Sequence, residues 1–360
     1  MGKTKVGALV FLMTSKWKSA AALSASVWIF SLFITSAHLS AAERFRIYIS
    51  NEQDGTVSVI DGETLMVVGT IPAGKRPRGI RPSPDGKLLY VALSGSPMAG
   101  PATDEKSLPP PDRAQDGIGI IDVAEGKLQR VLRGVPDPEQ AAISPDGKTV
   151  YVASEDSGKV FIIDAQNDAI LGSVDVGGEP EGVRFSPDGR FVLATAEAGN
   201  SVALIDASTH NVLATIPAGQ RPRDVLFSPD SKYAFVSGEA DASLTVIDVA
   251  ARSVLSKVKI EGERILPMGL ALSPDGTRLF VSAGRGGVVF VLDAKTLAVI
   301  GRAKVGTRPW GIALSPDGRL LFTANGPSND VSVLKADTLE IVKTIPAGAR
   351  PWGVAVVPVP

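Results

Sequence analysis

The fold is decided by the stretch Arg308–Gly318, which reads RPWGIALSPDG. Its last four residues, Ser-Pro-Asp-Gly, recur along the chain, with one near copy in which Ser231 replaces the glycine. The copies begin at Ser83, Ser144, Ser186, Ser228, Ser273 and Ser315. These serines lie 61, 42, 42, 45 and 42 residues apart. A period of ~40–45 residues is typical of four-stranded propeller blades.

Each repeat predicts four short strands separated by turn residues. In the copy that begins at Ser144, apolar runs cover residues 149–153, 160–164, 169–174 and 182–185. They are too short for the helices of a solenoid, and β-branched residues are common in them. Pro-Asp-Gly suits a tight reversal, because proline presets φ, Asp binds nearby backbone and glycine accepts a positive φ.

The number of repeats and the two chain ends predict a closed ring of seven blades. A proline leads each innermost strand, at Pro77, Pro138, Pro180, Pro222, Pro267, Pro309 and Pro351. The run 46–50 begins at the second strand of a repeat, and the run 352–356 supplies the missing first strand. We therefore predict an all-β, seven-bladed propeller in which the C-terminal strand joins the N-terminal blade and hides the sheet edges.

Residues 1–42 are typical of an export signal ahead of a propeller over 43–360. They contain four lysines and no acid, an apolar run over 20–34, and the small residues Ser40, Ala41 and Ala42 before Glu43. A cleaved signal and a periplasmic protein are the prediction. An uncleaved membrane anchor is the alternative. Met13 is an alternative start that would leave a signal of ordinary length.

Charge and cysteine content exclude several kinds of function. Without the four lysines of the first 42 residues, 33 basic residues face 38 acidic ones. This balance argues against general affinity for nucleic acid, which requires a basic surface. The chain has no cysteine, so disulfides, thiolate nucleophiles, iron–sulfur clusters and covalently attached c-type haem are excluded.

Three motifs carry a resemblance to a known family. Tyr48-Ile49-Ser50-Asn51, Tyr90-Val91-Ala92-Leu93 and Tyr151-Val152-Ala153-Ser154 occupy equivalent strands. The chain from Arg46 onwards resembles the YVTN family of seven-bladed β-propellers. A proline-rich insertion at about 94–116 is similar to that of the PQQ-dependent catabolism-associated β-propeller proteins. This resemblance implies an exported protein that is associated with periplasmic quinoprotein alcohol oxidation. It also implies a quinoprotein dehydrogenase or its cytochrome as partner.

The segments around the leading prolines predict a binding face, which we call the mouth. Their charges differ between blades, so the mouth is polarised and suits an anionic ligand or a partner protein. The predicted binding residues are Arg76, Arg78, Glu179, Glu181, Arg221, Arg223, Arg308, Trp310, Arg350 and Trp352. The two tryptophans occupy equivalent positions in adjacent blades. They could stack on a planar ligand, anchor a protein, or pack against neighbouring loops.

The innermost strands carry small residues at alternate positions, which lets blades converge near the axis. The exceptions are Arg81, Gln140, Arg184 and Asp224. They predict a polar, water-filled channel, because an unpaired buried charge is costly.

Catalytic and metal sites are not indicated by the sequence. The acids that end the third strands, such as Asp164, precede turns and are explained by bonds to backbone N–H groups. His210 lies in a hairpin opposite the mouth, and no Ser-His-Asp or Cys-His set exists. We therefore predict a non-enzymatic propeller that binds a partner or small ligand. The alternatives are a lactonase-like hydrolase or lyase, and a carrier of PQQ or another planar redox cofactor.

Overall fold

A computed structural model describes residues 44–98 and 107–359 of the chain. Within these residues, twenty-eight strands form seven antiparallel sheets of four strands each. The predicted all-β, seven-bladed propeller is confirmed. The predicted signal over residues 1–42 lies outside the described residues.

Each blade places its strands in the same radial order. The innermost strands are β4 (Pro77–Pro82), β8 (Pro138–Ile143), β12 (Pro180–Phe185), β16 (Pro222–Phe227), β20 (Pro267–Leu272), β24 (Pro309–Leu314) and β28 (Pro351–Pro358). The second strands are β1 (Phe45–Asn51), β5 (Leu88–Leu93), β9 (Thr149–Ser154), β13 (Phe191–Ala196), β17 (Tyr233–Gly238), β21 (Arg278–Ala283) and β25 (Leu320–Asn325).

The outer half of each blade follows the same periodicity. The third strands are β2 (Thr56–Asp61), β6 (Gly117–Asp122), β10 (Lys159–Asp164), β14 (Ser201–Asp206), β18 (Ser243–Asp248), β22 (Val288–Asp293) and β26 (Asp330–Lys335). The outermost strands are β3 (Met66–Pro72), β7 (Lys127–Leu132), β11 (Ile170–Asp175), β15 (Val212–Pro217), β19 (Ser253–Lys259), β23 (Val299–Lys304) and β27 (Ile341–Pro346). A short 3-10 helix (Arg113–Gln115) precedes β6.

The two ends of the propeller close the ring within one blade. Strand β28 pairs antiparallel with β1, with Ile47 opposite Val356 and Tyr48 opposite Ala355. We number this sheet, β28-β1-β2-β3, as blade 1, and β4–β7 to β24–β27 as blades 2 to 7. Each innermost strand contacts the next one around the axis, including β28 with β4. The closure predicted from the offset repeat is therefore present.

The hydrophobic core lies between blades. Seven apolar clusters each join residues of two neighbouring blades, which matches the seven interfaces of the ring. The cluster around Phe322 and Ile49 joins blades 7 and 1. Because strand residues alternate between two faces, each sheet supplies apolar side chains to both of its neighbours. No blade buries enough surface by itself, so the ring is stabilised as a unit.

The repeated Ser-Pro-Asp-Gly motif forms the reversal between the first and second strands. In blade 7, the Ser315 hydroxyl donates to Asp317 Oδ1 at 2.6 Å and accepts the backbone N–H of Leu320 at 2.9 Å. Gly318 has a φ of 69°, which glycine adopts without strain. The same Ser–Asp bond recurs in the other five copies. The motif is therefore turn chemistry in every blade.

Within the described residues, no helix has the length and apolar character that crossing a membrane requires.

Candidate functional site

The mouth contains a cavity of about 460 Å³, at the end of the channel where the innermost strands begin. Three kinds of segment form its wall. The segments around the leading prolines supply most of the charged side chains. The loops between second and third strands supply Glu52, Glu155 and Pro327, and the described part of the insertion supplies Pro97, Met98 and residues 108–111. A volume of this size lies within the ~300–1,000 Å³ of small-molecule sites.

The structure brings most of the predicted mouth residues to this one cavity. Nine of the ten line it: Arg76, Arg78, Glu181, Arg221, Arg223, Arg308, Trp310, Arg350 and Trp352. Glu179 does not; it lies in a neighbouring groove beside Asp156 and Ala198. Glu179 and Glu181 are two residues apart in the chain, but only Glu181 reaches the cavity. Whether these residues bind a ligand or a partner remains a prediction.

A repeated backbone feature presents these side chains. The residue before the leading proline has a positive φ, between 39° and 55°, in six blades: Arg76, Asp137, Glu179, Arg221, Arg308 and Arg350. Residues other than glycine rarely adopt this conformation, which costs on the order of 1–3 kcal/mol. Because this positive φ recurs at one position of the repeat, it belongs to the turn that leads into the innermost strand of these blades.

Arg78, in blade 2, is the centre of a cluster whose acids come from blades 1 and 3. Its guanidinium contacts Glu139, and it lies 3.6 Å from Glu52, 3.9 Å from Asp137 and 3.4 Å from Glu155. Burial disfavours the charge of Arg78, but the surrounding carboxylates outweigh it and raise the pKa of Arg78. The positive charge of Arg78 therefore neutralises part of the negative charge of the acids around it.

Three of these acids also gather as a set of possible metal ligands. Oxygens of Asp137, Glu139 and Glu155 lie within 4.8 Å of one another. However, the Arg78 guanidinium contacts all three acids and already supplies the positive charge that a cation would bring. The arrangement is therefore that of an arginine-centred ion cluster.

Arg223 is the centre of a second cluster, deeper in the mouth. Its Nη1 lies 3.0 Å from Glu181 and contacts Glu197, while its Nε donates to Glu239 at 2.6 Å. Arg221 also binds Glu197, at 2.7 Å. All three acids are buried, and they raise the pKa of Arg223 against the effect of its own burial.

Glu181 is an acid of this cluster with a raised pKa. Burial raises its pKa well above the ordinary value, and the negative charges of Glu197 and Glu155 raise it further against the opposing effect of Arg223. Its side chain is only 5% exposed, yet it lines both the mouth cavity and the channel beneath it. A buried carboxyl group whose pKa is raised in this way is a candidate for proton transfer.

Arg308 and Arg350 differ from the other mouth arginines because neither forms an ion pair within the described part of the chain. Arg350 Nη1 contacts Met98 Sδ at 3.9 Å, and the Arg308 guanidinium lies 5.0 Å from the centre of the Trp310 ring. Burial lowers the pKa of Arg308, and the nearby Arg223 and Arg350 add to this effect against Glu239. The charge of these two side chains is available to an anion in the cavity.

The two tryptophans form the apolar part of the mouth. Their ring centres are 5.2 Å apart at an interplanar angle of 26°, so the rings stack on each other. Arg223 also lies over Trp310, with 5.3 Å between guanidinium and ring centre. Trp352 is 8% exposed. The ring faces are thus largely occupied by protein groups, which limits the stacking on a planar ligand that the sequence suggested.

The predicted channel residues form two pairs on neighbouring innermost strands. Arg81 donates to Gln140 Oε1 at 2.9 Å, and Arg184 Nη2 donates to Asp224 Oδ1 at 3.2 Å. A cavity of about 30 Å³ lies beside Arg81, Gln140 and Asp224. Arg184 does not line it.

His210 lies in the hairpin between β14 and β15, away from the mouth. It is half-buried, and its Nδ1 is 2.5 Å from the hydroxyl of Tyr151 in the neighbouring blade. His210 therefore lies in the hairpin that the sequence predicted and in addition forms a bond between blades.

Sequence reasoning missed the glutamates that follow the second strands. Glu52, Glu155, Glu197 and Glu239 occupy one position of the repeat and supply partners to the arginines of both clusters. A comparison of that repeat position between blades would have found them, since four of the seven blades carry Glu there.

Parts of the chain match two family models. Residues 183–341 match a model described as lactonase, 7-bladed beta-propeller. Residues 112–225 match a model described as cytochrome D1 heme domain. Among curated proteins, antigen Lp49 of Leptospira interrogans is 27% identical over 168 residues. That match covers 34% of this chain and 37% of the antigen, so it spans well under half of the relative's length.

Solved structures show the same fold at low identity. Hydrazine synthase of Kuenenia stuttgartiensis is 24% identical, with a TM-score of 0.68 over 81% of this chain and 92% of that one. A putative 6-phosphogluconolactonase of Bacteroides fragilis is 18% identical, with a TM-score of 0.69 over 88% and 98% of the chains. Dihydro-heme d1 dehydrogenase NirN is 17% identical, with a TM-score of 0.62 over 86% and 74%.

Proposed function

We propose that the protein is a lactonase-like hydrolase that opens a small anionic lactone in the mouth of the propeller. The observation that carries this proposal is the presence on one cavity of unpaired arginines, Arg308 and Arg350, and a buried carboxyl group, Glu181, whose pKa is raised. The partial match to the lactonase family model supports it.

Arg308 and Arg350 bind the anionic substituent of the substrate. Because neither side chain forms an ion pair among the described residues, a phosphate or carboxylate substituent would gain charge-assisted hydrogen bonds from them. Trp310 and Trp352 line the same cavity beside these arginines. The other arginines of the mouth are engaged by acids and contribute less to binding.

Glu181 and Arg223 supply the chemistry. Glu181 takes a proton from water as the water oxygen attacks the lactone carbonyl carbon, and the carbonyl electron pair moves to oxygen. Arg223, whose Nη1 is 3.0 Å from Glu181, stabilises the developing negative charge. When the tetrahedral intermediate collapses, the ring C–O bond breaks and the departing oxygen takes the proton back from Glu181. The product is the open hydroxy acid.

A panel of lactones tests this proposal. We expect the protein to hydrolyse a phosphorylated sugar lactone with a kcat/KM roughly 100-fold above that for the neutral lactone, since two charge-assisted contacts are each worth ~1.5–3 kcal/mol. The double variant Arg308→Met/Arg350→Met should lose this preference through a higher KM. The exposed Arg319→Met, on a blade turn, is the matched control.

Two outcomes would contradict the proposal. One is the absence of turnover of any lactone above the spontaneous rate. The other is turnover without preference for the anionic substrate, or with a preference that survives in the double variant.

A second candidate is the accessory role in PQQ-dependent alcohol oxidation that the sequence resemblance implies. The specific observation in its favour is that Pro97, Met98 and residues 108–111 of the proline-rich insertion form one wall of the mouth. In this candidate the insertion is a docking surface for a periplasmic quinoprotein dehydrogenase or its cytochrome, and the mouth arginines hold the carboxylates of PQQ. It ranks second because the tryptophan faces are mostly covered.

Two measurements distinguish the second candidate from the first: quenching of tryptophan fluorescence by PQQ, and purification of the protein with its partner from cells. Addition of PQQ should quench tryptophan emission, and the variant Arg308→Met/Arg350→Met, which keeps both tryptophans, should lose most of that quenching because it lacks arginines that hold the PQQ carboxylates. The protein should be recovered from the periplasm with a mass that shows loss of residues 1–42, bound to the dehydrogenase. Unchanged emission, together with no recovered partner, would rule the candidate out.

A further inference from the structure

The central channel carries a charge that the proposed hydrolase does not use. Its cavity is lined by residues that follow the leading prolines by one to four positions. The second residue after the proline is glycine in five blades, and the exceptions are Gln140 and Asp224. The fourth is alanine or leucine in five blades, and the exceptions are Arg81 and Arg184. Glu181 and Arg223, one position after their prolines, also line the cavity and form an ion pair with each other.

One of the two channel arginines is compensated. Arg184 binds Asp224 Oδ1 at 3.2 Å and the carbonyl of Val225 at 3.3 Å. The carboxylate of Asp224 also accepts the backbone N–H groups of Val225, at 2.9 Å, and Leu270, at 3.0 Å. Asp224 is thus committed to Arg184 and to the backbone.

Arg81 is not compensated by any ion pair of the described residues. Its Nη2 donates to the neutral amide of Gln140, and its buried Nε has no hydrogen-bond partner there. Burial lowers the pKa of Arg81 to about 9, and the positive charge of Arg184 acts in the same direction, while the negative charge of Asp224 opposes both effects. An unsatisfied donor on a buried cation is unfavourable unless a counter-charge is supplied.

A space for that counter-charge lies beside Arg81. The channel cavity of about 30 Å³ is lined by Arg81 and Gln140 together with Asp224 and the Glu181–Arg223 pair, and Trp310 and Trp352 also line it. It exceeds the ~10–15 Å³ that one water-sized group requires. We propose that the channel binds one small monovalent anion of halide size through the Arg81 guanidinium. This site is separate from the substrate-binding arginines of the mouth and does not depend on the proposed hydrolase activity.

Bromide provides the test. Crystals of the full-length protein grown with sodium bromide should show an anomalous scattering peak beside Arg81. In solution, sodium bromide should raise the Tm of the wild-type protein by about 2–4 °C relative to sodium gluconate at equal ionic strength. Arg81→Met should abolish this anion-specific shift and be at least as stable as wild type in gluconate, because it removes an unpaired buried charge.

Matched variants exclude binding elsewhere. Arg319→Met, with the same change of charge on an exposed turn, should keep the shift, as should Arg308→Met/Arg350→Met in the mouth. The proposal is overturned if bromide and gluconate give the same wild-type Tm, if no peak lies beside Arg81, or if Arg81→Met keeps the full shift. If Arg81→Met does not fold, the wild-type crystal decides the question.

Discussion

Arg223→Met is expected to lower the free energy of unfolding at pH 7 by about 3–5 kcal/mol, the cost of removing one partner from a buried ion cluster. The reason is that Glu181, Glu197 and Glu239 all contact this one guanidinium and are all buried. Without it, the buried carboxylates would repel one another with only Arg221 remaining beside Glu197. Urea unfolding at pH 7 measures the loss.

The pH dependence of this loss distinguishes charge from packing. In the variant, the folded-state pKa values of the three acids should rise above their unfolded values, so the folded protein binds more protons than the unfolded chain. Stability then falls as pH rises through the raised pKa values. The difference from wild type should therefore be small near pH 4.5 and large at pH 7–8, where the acids would be ionised.

Arg221→Met is the matched control. Its side chain is 52% exposed and binds only Glu197. We expect a loss of roughly 0–1 kcal/mol, because the half-exposed Arg221 side chain stays hydrated and the buried Glu197 keeps its contact with Arg223. A loss at Arg223 that is similar to that at Arg221, or that does not change with pH, would show that the cluster does not depend on the guanidinium charge.

Glu181→Gln is expected to reduce kcat for lactone hydrolysis by roughly 100- to 10,000-fold, the usual contribution of a general base. The amide keeps the size of the side chain but cannot take the proton from water. The wild-type rate should rise with pH through the pKa of Glu181, which burial places above the ordinary glutamate range. Steady-state kinetics from pH 4 to 8 on the phosphorylated lactone measure both effects.

Glu179→Gln supplies a control that the sequence itself offers. Glu179 is two residues away, is also acidic, and has a pKa raised first by burial and then by Glu197 and Glu155. It lies outside the mouth cavity, so its replacement should change kcat less than about threefold. Equal losses in the two variants, or an unchanged rate in Glu181→Gln, would remove Glu181 from the mechanism.

The two ion clusters explain why the distribution of charge in the mouth differs from the one that the sequence suggests. By sequence, five blades present basic or basic–aromatic flanks and two present acidic ones. In the fold, Arg76 and Arg78 meet the acids of blades 1 and 3, and Arg223 meets those of blades 4 and 5. The positive field that remains available to a ligand is concentrated on Arg308 and Arg350.

The sequence by itself determined the propeller. The period of the Ser-Pro-Asp-Gly turns, seven leading prolines and the offset of the two chain ends are local patterns, and each blade repeats the same turn and strand chemistry. The same offset predicted the pairing of β28 with β1, because an open ring would leave two unpaired edges. The mouth could be located for the same reason, since the leading prolines recur at one end of every innermost strand.

Only the tertiary structure decided which mouth residues are paired, buried or available. Arg223 and Arg308 occupy related positions in the sequence, yet one is surrounded by carboxylates and the other has no ion pair within the described residues. Glu179 and Glu181 are also separated by the fold, because Glu179 precedes β12 with a φ of 55° and lies in a neighbouring groove, whereas Glu181 lies on β12 and lines the cavity. Charge compensation depends on contacts between residues that are 16 to 77 positions apart in the chain, and a linear pattern does not contain those distances.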